Sequence, residues 1–263
     1  MPKTGDKMQR LNIFFKDEQD KINLVNECEK EFNEKLSQVA ELVMKSNIKN
    51  VLLSGPSCSG KTTTANKIIS DLSNAGKSVI VISLDDFFKE RKEARTVDEN
   101  QKIDYDSVDV LDVELMRECI ENCKAGEIIR VPIFDFVSQS RKGFNEYKIT
   151  ENDILIFEGI QAVYPEVFSL FHGNFIGIFI NLDEDVCLNG IEFSRDDIRL
   201  VRRIVRDRKF RAADTEFTLY LWTTVRENED KNIYPNKNIC KIQLNSFMKY
   251  ELFLIKKYII ERF

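Results

Sequence analysis

The sequence contains a single histidine, His172, and no CxxC pair among its six cysteines. One histidine argues against mechanisms built on a histidine base, the Ser-His-Asp hydrolases among them. Cys119 and Cys123 sit four residues apart on an expected helix, which makes half a zinc site with no second half nearby. The expectation for these two and for Cys28, Cys58, Cys187 and Cys240 is a reduced thiol. No apolar run approaches the roughly 20 residues that cross a bilayer. The first twenty residues carry charges throughout and have no signal-peptide core. A cytoplasmic protein without a membrane partner is expected. Internal repeats and low-complexity linkers are lacking as well. So is net positive charge: the 263 residues sum to −5, which argues against a nucleic-acid partner held by bulk charge.

What is present is a globular composition, 43% hydrophobic and 32% charged. Residues 17–46 read as one long amphipathic helix, because Val25, Cys28, Phe32, Leu36, Val39 and Val43 recur at steps of three and four. That face fits either packing on the domain that follows or a partner helix. Residues 1–48 are therefore read as a tail and helix, and 49–263 as the main domain. There, apolar strands are expected at 50–54, 77–84, 153–157, 175–182 and 239–244, with an extended stretch at 128–136. Helices are expected at 61–74, 111–124, 194–209, 216–225 and 246–262. Continuous apolar strands alternating with helices indicate an α/β fold with a mainly parallel sheet.

Three motifs carry chemistry. Gly55-Pro56-Ser57-Cys58-Ser59-Gly60-Lys61-Thr62 fits G-x-x-x-x-G-K-[ST], with a strand before it and a helix after it. Such a loop turns its backbone N–H groups around phosphate oxygens, and the helix N-terminus adds partial positive charge. Lys61 is placed to reach β- and γ-phosphates, and the Thr62 hydroxyl to ligate Mg²⁺. Two further strands end in acids, Asp85-Asp86 and Glu158. Ligands of open parallel sheets bind at the carboxyl ends of strands, so these acids are candidates for holding Mg²⁺ or taking a proton. An N-cap is the plainer role for Asp86. Finally, Arg195, Arg199, Arg202, Arg203, Arg206, Arg208 and Arg211 crowd one segment of a net acidic protein. Arginine forks suit phosphoryl oxygens, so a lid at about 190–213 is expected. A solvated basic helix and an RNA-binding patch are the alternatives.

These landmarks resemble the phosphoribulokinase/uridine kinase family of P-loop kinases. They run in order: GPSCSGKTT at 55–63, SLDDFF at 83–88, YDSVDVLD at 105–112, VPIFDFVSQSRK at 131–142, ILIFEGI at 154–160 and RLVRRIVRDRKFR at 199–211. The stretch from Arg202 to Asn238 is most similar to a bacterial branch of nucleoside and uridine kinases. Larger members of that branch carry N-terminal domains resembling those of threonyl-tRNA synthetase, where this chain has a leading helix. The resemblance implies a three-layer P-loop NTPase sandwich with an arginine-rich helical lid. It also implies ATP and Mg²⁺, a small-molecule acceptor such as uridine or cytidine, and often a homo-oligomer. Gly55, Ser57, Cys58, Ser59, Gly60, Lys61, Thr62 and Thr63 match the ATP-binding loop. Asp85 matches the general base, and Thr62, Asp85 and Glu158 the metal positions. Arg206 and Arg211 match lid arginines on ATP, while Arg203 matches one on the acceptor side. Asp106 matches the residue that binds ribose hydroxyls.

The departures lie with the acceptor. Phe134 stands for a tyrosine, Gln139 for a histidine and Ala213 for an arginine of the uridine kinases. Losing such polar readers is expected to relax or redirect specificity. A kinase acting on a non-nucleoside alcohol and an ATP-binding sensor without catalysis are the rival readings. A GTPase is not expected, since Asn236-Lys237-Asn238-Ile239 ends in isoleucine where N-K-x-D needs aspartate. No L-S-G-G-Q signature of ABC ATPases occurs.

Overall fold

A computed structural model describes residues 8–93, 105–211 and 213–260. In chain order its elements are β1 (Met8–Leu11), α1 (Glu18–Lys45), β2 (Asn50–Ser54), α2 (Lys61–Asn74), β3 (Ser78–Ser83), α3 (Val113–Ala125), β4 (Ile128–Asp135), β5 (Ser140–Lys148) and β6 (Asp153–Glu158). There follow α4 (Pro165–Phe168), β7 (Ile176–Asn181), β8 (Asp185–Leu188), β9 (Ile191–Phe193), α5 (Arg195–Phe210), α6 (Thr215–Asn228), β10 (Ile242–Asn245) and α7 (Glu251–Ile260).

Five strands form one parallel sheet in the order β10-β7-β2-β6-β3. Alternation along each strand divides the apolar side chains between two cores. On one face, Val51, Leu53, Ile154, Ile156, Ile178 and Ile180 meet α2 and the Leu36–Val43 stripe of α1. On the other, Leu52, Leu155, Phe157 and Phe179 meet α3, α4 and the β4–β5 hairpin. The chain is thus a three-layer α/β sandwich. The expected period of α1 has its reason here: its apolar stripe completes a layer. Asp17 caps that helix by accepting the Asp20 amide at 2.9 Å.

Several elements depart from the sequence expectations. β5 pairs antiparallel with β4, yet its residues SRKGFNEYK are too polar to announce a strand. A small sheet, β1-β8-β9, was equally unmarked. The last strand starts at Ile242 rather than 239, because Tyr234–Ile239 winds as a 3₁₀ turn. The final helix starts at Glu251, and the expected end at Arg262 lies outside the described residues. Asp112 caps α3, so that helix opens at Val113, and Leu111 instead bridges to Phe88.

Candidate active site

β2 runs straight into the glycine-rich loop, and α2 leaves it at Lys61. Gly55 is tight against β7: a Cβ there would lie 2.0 Å from the Ile180 carbonyl oxygen and 2.7 Å from Ser59 Oγ. Cys58 and Gly60 both take left-handed backbone, at φ 58° and 93°. Residues of that conformation within a loop turn neighbouring N–H groups to one side and form an anion nest. Lys61 Nζ donates to the Gly55 and Pro56 carbonyls at 3.0 and 3.1 Å. Thr62 and Thr63 are exposed on the first turn of α2.

The two acids reach the loop through strand register. Glu158 of β6 pairs with Leu53 of β2 on one side and with Ser83 of β3 on the other. The three strands therefore end level, and the loop, Glu158 and Asp85 form one row. The charges act on one another as that row requires. Burial pushes the Lys61 ammonium below its ordinary value, against the pull of Glu158 and Asp85. Burial pushes Asp85 up, opposed by Lys61 and Arg211. Glu158 is also raised by burial, with Lys61 opposing and Asp85 reinforcing. Asp86 caps no α-helix; its Oδ1 accepts the Phe134 amide at 3.2 Å and ties the β4 hairpin to the end of β3.

Helix α5 lies against the phosphate loop. It opens with a capping box between Ser194 and Asp197. Arg199 is fully buried and donates from Nε to the Ser57 carbonyl at 3.0 Å. Arg202 donates to the Cys58 carbonyl at 3.2 Å and forks onto Glu251 at 2.7 Å from both Nε and Nη2. Arg203, placed at the acceptor by resemblance, here donates to Ser57 Oγ at 3.0 Å. Asp207 gathers the rest. It lies 3.3 Å from Arg203, 2.6 Å from Arg206 and 3.9 Å from Arg211. One carboxylate thus collects the two guanidinium groups expected on ATP, Arg206 and Arg211, and the one expected on the acceptor side, Arg203.

Among the acceptor candidates, Phe134 packs beside Phe88, three residues after Asp85 in the chain. The rings of Phe88, Tyr105, Phe134 and Phe136 contact one another, with centroids 4.9–6.4 Å apart. Tyr105 Oη and Gln139 Oε1 are buried and have no hydrogen-bonding partner among the described residues. Gln139 has φ 51° at the hairpin turn, where its carbonyl accepts the Arg91 amide. Asp106 is half-buried, and its carbonyl receives the Tyr164 hydroxyl at 2.8 Å. Ala213 bonds through its amide to the Asp207 carbonyl.

The donor set fits a magnesium-bound triphosphate. Gly55 lets the loop turn close against β7, Cys58 and Gly60 take the left-handed backbone of an anion nest, and Ser59 Oγ is buried in the loop with no hydrogen-bonding partner among the described residues. Among the described residues, no three His, Cys, Asp or Glu side chains gather at one point. Mg²⁺ needs no such cluster, since it takes one or two carboxylates and completes its shell with phosphates and water. The residues that sequence reasoning left without a role are Tyr164, Gln161, Asn228, Glu229 and Glu251. Nothing local marks their contacts with Ser57, Tyr105, Arg199 and Arg202, or that of Asn228 with Tyr164, because these partners are far away in the chain. Among the described residues, no helix is long and apolar enough to cross a membrane.

Comparisons with known proteins bear on the family and the fold. A family model described as Phosphoribulokinase / Uridine kinase family matches residues 51–251. A uridine kinase of Ureaplasma urealyticum serovar 10 is 30% identical over 212 residues, covering 80% of this chain and 94% of that protein. A uridine kinase of Staphylococcus aureus strain JH9 is 31% identical over 193 residues, covering 72% of this chain and 84% of that one. Among solved structures, a protein of Silicibacter sp. TM1040, provisionally named a fructose transport system kinase, superposes with TM-score 0.55. It is 16% identical, with 79% of this chain and 98% of that one covered, and the likeness is one of fold.

Proposed function

Because the chain belongs to the phosphoribulokinase/uridine kinase family, a family of small-molecule kinases, we propose that it transfers the γ-phosphoryl group of ATP to a hydroxyl of a nucleoside such as uridine or cytidine. The observation that carries this reading is the level ending of β2, β6 and β3, with Glu158 paired to both Leu53 and Ser83, where the charges of Lys61, Glu158 and Asp85 act on one another. Amides of the Gly55–Thr62 loop and Lys61 hold the phosphates. Bound Mg²⁺ supplies charge neutralisation on the phosphate oxygens, and Thr62, Glu158 and Asp85 are the residues that would hold it. Arg206 and Arg211, at the C-terminal end of α5 and just beyond it, meet charge on the γ-phosphoryl group, exchanging Asp207 for phosphate oxygens as that end of the lid closes. Asp85 accepts the proton of the acceptor hydroxyl.

The four-ring cluster of Phe88, Tyr105, Phe134 and Phe136 supports a flat aromatic acceptor over a small aliphatic acid. Buried Gln139 Oε1 and Tyr105 Oη supply hydrogen-bonding edges for a base, and Asp106 is assigned to the ribose hydroxyls. Gln139 and Phe134 are neither the histidine nor the tyrosine of uridine kinases, so discrimination among nucleosides is expected to be broad. The test is acceptor-dependent ADP release with Mg·ATP across nucleosides, pantothenate, glycerate and sugar phosphates. Stimulation confined to nucleosides supports the proposal. Stimulation only by non-nucleoside alcohols, or by no acceptor, overturns it.

A further inference from the structure

We infer that the consecutive residues Asn228 and Glu229 form a joint that holds the phosphate loop and the acceptor loop in register, as positioning residues for phosphoryl transfer. The inference rests on the proposed assignment of those two loops. It deepens that assignment by naming what fixes one loop relative to the other.

The joint sits where α6 ends at Asn228 and the backbone continues through Glu229–Ile233 as a π-helical turn. Such turns are rare and concentrate at functional sites. Glu229 is 1% exposed and both of its oxygens are engaged. Oε1 accepts the Ser57 amide at 2.9 Å and also Arg199 Nη2. Oε2 accepts Arg226 Nη1 at 2.5 Å. Since Arg199 also donates to the Ser57 carbonyl, the N–H and the C=O of Ser57 are both held by the Glu229–Arg199 ion pair.

The neighbouring residue reaches the loop assigned to the acceptor. Asn228 Nδ2 donates to the Tyr164 hydroxyl at 3.0 Å, and that hydroxyl donates its own proton to the Asp106 carbonyl at 2.8 Å. Gln161 Nε2 adds a second hold on the same loop, at 3.0 Å from the Tyr105 carbonyl. Two short relays thus leave one dipeptide. One ends on Ser57, in the loop assigned to the triphosphate; the other ends on Asp106, assigned to the acceptor. In-line transfer needs the reacting atoms about 3–3.5 Å apart, and a misplacement of about 1 Å costs roughly 10²-fold in rate. A link of this kind acts on the chemical step at saturation, beyond the affinity for either substrate.

Asn228→Ala, Tyr164→Phe and Glu229→Gln test the joint by two readouts. The first needs no acceptor. Hydrogen exchange is followed in peptides covering 55–60 and 105–110 of the full-length protein. Asn228→Ala is expected to speed exchange in both peptides, whereas a change confined to 105–110 overturns the joint. The second is steady-state kinetics with Mg·ATP and uridine. Tyr164→Phe is expected to raise the uridine KM and Glu229→Gln the ATP KM, with each lowering kcat about tenfold. The double variant is expected to lose about tenfold as well, because both changes break one linkage. A multiplicative loss near 100-fold, or unchanged kcat in both single variants, overturns the inference. Wild-type protein that phosphorylates no acceptor counts against the proposed function, while the exchange readout still decides the joint.

Discussion

Gly159 and Leu84 meet at the ends of β6 and β3 so closely that a Cβ on Gly159 would lie 2.8 Å from the Leu84 Cβ. Leu84 is fully buried and directly precedes Asp85. Any side chain at 159 therefore pushes on the candidate base. Gly159→Ala is expected to lower kcat about 10²-fold through a displacement of about 1 Å, with the KM for ATP nearly unchanged. Steady-state kinetics and a structure of the variant check this. Wild-type kcat would show that Leu84 yields without moving Asp85.

Asp85→Asn keeps the shape of the side chain and removes the base. Acceptor phosphorylation is expected to fall about 10²–10⁴-fold, the usual contribution of a general base. Calorimetric titration should show Mg·ATP binding within a few-fold of wild type. Lys61→Ala is expected to abolish transfer and weaken nucleotide binding as well. Full activity in Asp85→Asn removes the assignment.

The pH profile follows from the directions of three shifts. Asp85 works only when ionised, and burial raises its pKa. The acid limb of kcat/KM for the acceptor is therefore expected above the ordinary carboxylate value of about 4. Lys61 is shifted down by burial, so the alkaline limb is expected below the ordinary lysine value of about 10.4. Because the three groups interact, each limb belongs to the Lys61–Asp85–Glu158 set rather than to one residue. For stability, the folded state binds more protons than the unfolded chain between the ordinary and raised Asp85 values. Asp85 and Glu158 thus lower stability as pH rises through that window. An acid limb at the ordinary value would contradict the burial of Asp85.

Arg202 ties the C-terminal helix to the phosphate loop. It forks onto Glu251 of α7 and donates to the Ser246 carbonyl at 2.9 Å and the Cys58 carbonyl at 3.2 Å. The pair is mostly buried, at 18% and 12% side-chain exposure. Arg202→Met leaves a nearly buried carboxylate unpaired and is expected to cost about 2–3 kcal/mol. Arg202→Met with Glu251→Met is expected to recover much of that loss. Thermal unfolding of the two variants beside wild type measures it, and equal losses in the single and double variants would count against a tight ion pair.

Much of the molecule was legible in the sequence. Strands β2, β6 and β7 show as short apolar runs because both of their faces are buried, and the edge strand β3 shows as one although Val81 is exposed. The phosphate loop shows because its backbone geometry demands glycine at fixed spacing. The α1 stripe shows because one face of a helix meets one core. Each of these signals is local, so residue order alone carries it. Strand β5 stayed hidden because one face of the β4–β5 hairpin meets solvent and its residues are mostly polar. The level ends of β2, β6 and β3 were also beyond reach, since register is a relation between segments about 70–100 residues apart. So were the partners of the arginines. The sequence placed seven of them near one another, but Glu229, Glu251 and Ser57 become their partners only when the chain closes. A buried guanidinium must find a carboxylate, and which carboxylate it finds is decided by tertiary packing.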